Sequence, residues 1–142
     1  MYRELIKGMC AELEEALLGI DEARLSQLVD ALLGAKRIFV AGAGRTGLLM
    51  KSMAMTLAQC GLPVEAVGEV TTHERSAVAD ISGCVLVMHS RSDTDSTRPS
   101  VNLMGNGYLH QLNLLVDLVI AGIMEKTGIT EEQMLDLHAN LE

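Results

Sequence analysis

Lys36-Arg37-Ile38-Phe39-Val40-Ala41-Gly42-Ala43-Gly44-Arg45-Thr46-Gly47 is the stretch on which the fold turns. Two basic residues lead into a short apolar run, which ends at a glycine-rich corner. Apolar residues at helical spacing follow: Leu49, Met53, Leu57 and Cys60. The order is strand, tight turn, helix. Gly42, Gly44 and Gly47 stand at the spacing G-x-G-x-x-G. A tight turn, or a backbone that a ligand must approach closely, needs residues without a Cβ. The helix after such a turn presents unpaired N–H groups and the positive end of its dipole, which suits a phosphate. The expectation is an α/β protein that binds a phosphorylated ligand at this corner.

The rest of the chain is read outward from there. Downstream, Gly61 and Pro63 stop the helix, and residues 64–67 form a second strand, completing a parallel βαβ unit. The continuous apolar run of the first strand, about 37–41, suits burial on both faces. Upstream, residues 2–19 predict a helix with Leu5, Ile6, Met9, Leu13, Ala16 and Leu17 inward and Glu12, Glu14 and Glu15 mostly outside that stripe. Asp21 caps a second helix with Leu25, Leu28, Val29, Leu32 and Leu33 as its apolar face. A short helix over 74–80, a third strand over 84–88 and a polar loop over 89–101 come next. A helix over about 108–126 follows, apolar around much of its girth. In a chain this small, that pattern points to burial, in part at an oligomer interface. Thr130 and Gln133 fit a capping box for a last helix ending near His138.

Composition narrows the classes. The chain has 142 residues, 49% of them hydrophobic, and a formal charge of −8. It can bury a core as one domain, and it lacks the basic footprint of a nucleic-acid partner. The most apolar run, 109–124, is interrupted by Asn113 and Asp117 and is short for a bilayer, so no membrane partner is expected. Cys10, Cys60 and Cys84 show no metal or redox spacing and read as reduced thiols of a cytoplasmic protein.

Several blocks together resemble one family: Val40-Ala41-Gly42-Ala43-Gly44-Arg45-Thr46-Gly47, Val67-Gly68-Glu69-Val70-Thr71-Thr72, Leu103-Met104-Gly105, Val116-Asp117-Leu118-Val119-Ile120-Ala121 and His138-Ala139-Asn140-Leu141-Glu142. In this order they are similar to the 6-phospho-3-hexuloisomerases of the sugar isomerase (SIS) domain superfamily. The resemblance implies a single α/β domain over 1–142, an SIS-like three-layer α/β/α sandwich with a shortened parallel sheet. Helices over 1–34 and 104–142 would flank a core over 35–103. It implies a small phosphorylated sugar as ligand and interconversion of hex-3-ulose 6-phosphate and fructose 6-phosphate. It further implies a homo-oligomer, dimer or tetramer, with active sites between subunits, and no metal or organic cofactor.

By the same resemblance Gly44, Arg45, Thr46, Glu69, Thr71 and Thr72 line the sugar-phosphate site. His138 matches the family's C-terminal histidine and is the first candidate for general acid and base, a task imidazole suits near neutral pH. His110 is the second, in the region where the family carries a glutamate. The sequence departs from the family in lacking that glutamate, with Leu109 and His110 in the region. It also lacks a second phosphate loop of the Ser-Gly-Ser-Gly-x-Thr type, so a piece the size of one βαβ unit is missing. His73 and His89 have no such support, and Ser90, Ser92 and Thr94 read as a solvated linker that could otherwise stand in for the missing loop. Two further readings stay open. One is a non-catalytic sugar-phosphate-binding or oligomerisation module. The other is a dinucleotide-binding domain resting on Gly42, Gly44, Gly47 and Glu69.

Overall fold

A computed structural model describes residues 1–42, 44–67, 84, 86, 88, 100–102 and 106–138. Two helices open the chain, α1 (Tyr2–Leu18) and α2 (Glu22–Gly34). The βαβ unit follows as β1 (Ile38–Val40), α3 (Gly44–Gln59) and β2 (Val64–Ala66). Two more helices are described, α4 (Asn106–Thr127) and α5 (Glu131–His138).

The local signals set these boundaries. Asp21 accepts the Arg24 N–H at 3.1 Å, as an N-cap should. Gly61, at φ 78°, closes α3, and the N–H of Leu62 reaches back to the Leu57 carbonyl at 3.1 Å. Thr130 and Gln133 form the expected capping box. The Gln133 N–H donates to the Thr130 hydroxyl at 3.3 Å, and the Thr130 N–H donates to Gln133 Oε1 at 2.9 Å.

β1 and β2 pair in parallel, with Ile38 beside Val64 and Val40 beside Ala66. Among the described residues they make a two-stranded sheet. Of the third expected strand, Cys84, Leu86 and Met88 are described and lie in no regular element. Leu86 and Met88 pack against the core. The expectation for 74–80 falls outside the described residues.

α4 is the centre of the molecule. Leu112, Leu115, Val116, Val119, Ile120 and Ile123 are buried along it, and it packs against α1, α2 and α3. Val29 of α2 reaches to 3.0 Å from where a Cβ on Gly122 would stand, which sets how closely those two helices approach. One turn further along α4, Lys126 holds the same pair together by bonding Asp30, the neighbour of Val29, at 2.6 Å. α4 is long and apolar enough to cross a membrane, but its apolar side is spent on the core.

Two expectations are corrected. β1 is not buried on both faces: Phe39 is 57% exposed, because no described element covers its side of the strand. The stripe of α1 is also shifted. Leu5 and Ile6 are exposed, while Glu12, assigned to the outside, is 6% exposed and buried.

The glycine corner has a steric reason for its spacing. A Cβ on Gly47 would fall onto the carbonyl oxygen of Gly42, and a Cβ on Gly42 would lie 2.9 Å from the Gly47 nitrogen. Strand end and helix start are therefore in backbone contact. Gly44 sits between them at φ 51° and begins α3, five residues before the apolar pattern does. Gly47→Ala is expected to cost about 1–3 kcal/mol by overpacking, because backbone rather than a movable side chain must give way. Chemical denaturation would show this as a lower midpoint at unchanged m value.

Candidate functional site

The site grows from the N-termini of α3 and α4. Arg45 lies in the first turn of α3 and Asn106 is the first residue of α4. The Arg45 guanidinium donates through Nη1 to Asn106 Oδ1, joining residues 61 apart in sequence. This contact brings the N-termini of α3 and α4 together. Their other ends are also joined, through α5. Cys60, just past α3, has its Sγ 4.0 Å from Met134 Sδ on α5, and three residues separate the end of α4 from the start of α5. The two long helices thus run side by side in the same direction, and α5 closes the end away from the glycine corner.

The charge pattern singles out the same end. α1, α2 and α5 carry acid in their first turns, at Glu4, Glu22, and Glu131 with Glu132. α3 and α4 carry none there. In a chain of net charge −8, the two N-termini that converge are the two that, among the described helices, lack a carboxylate in the first turn. Each presents partial positive charge, and Arg45 adds a full one between them. Such an arrangement can hold a phosphate with backbone donors and a guanidinium.

Not all the expected residues meet at this end. Gly44, Arg45 and Thr46 form the first turn of α3, with Thr46 half-buried and Arg45 exposed. His110 is exposed on α4 four residues after Asn106, and residues so spaced share a helix face. It therefore stands one turn from the Arg45 contact. His138 does not. It ends α5, four residues beyond Met134, which sits at the far end of α3. A helix of 16 residues is about 24 Å long, so His138 and the glycine corner of one chain belong to opposite ends. Glu69, Thr71 and Thr72 lie outside the described residues, as do His73, His89, Ser90, Ser92 and Thr94. Among the described residues no group of three or more His, Cys, Asp or Glu is placed to hold a metal. Burial pushes the Cys60 thiol up from its ordinary pKa, which keeps it protonated and inert.

Two residues of this region carry no sequence motif. One is Asn106. The other is Glu12, which accepts from Ser100 Oγ at 2.7 Å, the Val101 N–H at 2.6 Å and Asn102 Nδ2 at 2.9 Å. Glu12 falls three residues from Met9 and four from Ala16, within the inward row, and that spacing is the signal that marks it.

No protein-family model matches the chain. It is 26% identical to the 3-hexulose-6-phosphate isomerase of Bacillus subtilis (strain 168), over 98% of this chain and 98% of that protein. The alignment runs over 181 positions against a chain of 142 residues. Unmatched positions thus amount to at least the length of a βαβ unit. Among solved structures it resembles a hypothetical protein from Methanococcus jannaschii, for which the function of a 3-hexulose-6-phosphate isomerase was inferred. The TM-score is 0.73 at 21% identity, over 95% of this chain and 97% of that one. It also resembles the sugar isomerase domain of the RpiR transcription factor from Sphaerobacter thermophilus, with TM-score 0.68 at 13% identity, over 99% and 97% of the two chains.

Fold and comparisons together define a shortened α/β domain of the SIS, or sugar isomerase, type. Within that class the chain is 6-phospho-3-hexuloisomerase-like in sequence and fold.

Proposed function

We propose that the protein interconverts hex-3-ulose 6-phosphate and fructose 6-phosphate by proton transfer through an enediol. The observation that carries this reading is the meeting of two acid-free helix N-termini at Arg45, on the glycine corner. There the phosphate is held by backbone N–H groups of the Gly44–Thr46 turn, the Thr46 hydroxyl and the Arg45 guanidinium. Glu69, Thr71 and Thr72 complete the sugar side.

The chemistry asks little more of the protein. A base takes the proton from C3 of fructose 6-phosphate, the C2 carbonyl oxygen is protonated, and a 2,3-enediol results. Returning a proton to C2 while the C3 hydroxyl loses its own gives the 3-ketose. One base and one acid suffice, with no change of oxidation state overall. His110 serves from the same chain, one turn from Arg45. His138 serves from a second copy of the chain, because within one chain it belongs to the opposite end. A homo-oligomer follows from this division. Exposed apolar side chains on α1 and β1 support it: Leu5, Ile6 and Phe39 are 43%, 58% and 57% exposed.

The second reading is a sugar-phosphate-binding or oligomerisation module without turnover. Leu109, partly buried where the family carries its acid, favours it. Solvent deuterium exchange into C3 of fructose 6-phosphate, followed by NMR, separates the two. Exchange is expected, and it falls at least about 100-fold in His138→Ala, the loss of a general acid or base. Thr46→Val loses about 10-fold or less by weakening phosphate binding. Exchange unchanged in both variants would trace to a contaminant, and no exchange at high protein concentration leaves the binding module.

A further inference from the structure

We propose that Asn106 is a positioning residue for Arg45, and that buried Glu12 sets where Asn106 stands. The proposal rests on the glycine corner being the sugar-phosphate site. Arginine is a long side chain with many rotamers, and Arg45 is exposed at a helix start. Left to itself it would meet a phosphate from many directions. The bond from its Nη1 to Asn106 Oδ1 fixes one atom of a planar fork, and fixing one atom restrains the plane of the rest. A planar donor set grips phosphate by geometry as well as by charge.

Asn106 owes its own place to the other side of the molecule. Glu12 of α1 gathers Ser100, Val101 and Asn102 around its two carboxylate oxygens. Asn102 is 2% exposed, and its Cβ is 3.3 Å from where a Cβ on Gly107 would stand. Its side chain therefore packs on the backbone of Gly107, the residue next to Asn106. A side chain at Gly107 would push the start of α4 off Asn102. The chain of contacts runs from Glu12 through Asn102 and Gly107 to Asn106, and from there to Arg45. It links α1, which no motif connects to the site, to the Arg45 guanidinium at the glycine corner.

The test is a double-mutant cycle on the full chain, with Asn106→Ala, Arg45→Ala and the pair. Fructose 6-phosphate binding is read by calorimetry, and KM and kcat for its isomerisation are measured alongside. Asn106→Ala is expected to weaken binding about 10-fold and to raise KM by the same factor with kcat little changed, the mark of lost ground-state binding. Added to Arg45→Ala, it is expected to cost no more than about twofold, because its partner is already gone. Glu12→Gln, checked for folding by circular dichroism, is expected to show the same KM-only change at smaller size. Losses that multiply in the double variant, or a fall in kcat at constant KM, overturn the proposal while leaving the site reading intact. An unmodified chain that does not bind fructose 6-phosphate overturns both. If Glu12→Gln does not fold, the Asn106 cycle decides alone, since Asn106 lies outside the buried core.

Discussion

Arg45→Ala is expected to lower the affinity for fructose 6-phosphate by roughly 10- to 100-fold, the worth of hydrogen bonds to a charged group. Stability should change by less than about 0.5 kcal/mol, as for an exposed residue outside the core. The reason for so large an effect from one side chain lies in the rest of the charge distribution. At −8 overall, the chain repels a phosphate dianion at long range, and only local charge can reverse that. The α3 and α4 N-termini supply partial charges, and Arg45 is the cation placed between them. Arg45→Lys should recover only part of the loss. An ammonium keeps the charge but offers neither the fork nor the same reach to Asn106. Calorimetry at two salt concentrations checks both points: the remaining affinity of Arg45→Ala should depend less on salt than that of the unmodified chain. Equal affinity in the two proteins would move the phosphate away from the glycine corner and remove the proposed site.

What was legible in the sequence was local. Asp21 with Arg24, and Thr130 with Gln133, are three residues apart, and caps of that reach are written in adjacent residue types. Gly42 and Gly47 obey a rule of the same kind, since their spacing places a strand end against a helix turn. The pairing of β1 with β2 followed from the strand–helix–strand order, with Gly61 and Pro63 marking where the helix ends. What was not legible depends on partners far along the chain. Nothing near Asn106 announces Arg45, 61 residues away. Phe39 reads as a core residue because its neighbours are apolar, and only the absence of a described element over that face of β1 leaves it exposed. The position of His138 depends on topology. Its match to the family ending is a statement about sequence, while its distance from the glycine corner comes from α5 packing on the far end of α3.

Glu12 shows how far a long-range partner can change the reading of a residue, and it carries the largest expected effect on stability. A glutamate among Glu14 and Glu15 reads as a solvated helix face. Here it is 6% exposed and accepts three hydrogen bonds from residues 88, 89 and 90 positions further on. Glu12→Ala leaves the buried Asn102 amide and the half-buried Val101 N–H without their acceptor, and it opens a cavity the size of a carboxylate. Each buried donor left unmade costs about 1–3 kcal/mol, so the loss is expected near 3–5 kcal/mol. For a domain whose whole stability is about 5–15 kcal/mol, that places the variant close to unfolding. Glu12→Gln keeps the volume and one acceptor oxygen but presents an amide donor to groups that are themselves donors. Its expected cost is intermediate, about 1–3 kcal/mol. Urea titrations of the three proteins by circular dichroism give the order directly. If Glu12→Ala unfolds at the same urea concentration as the unmodified chain, the buried carboxylate contributes nothing net. The link from α1 to the start of α4 would then be contact without energetic consequence.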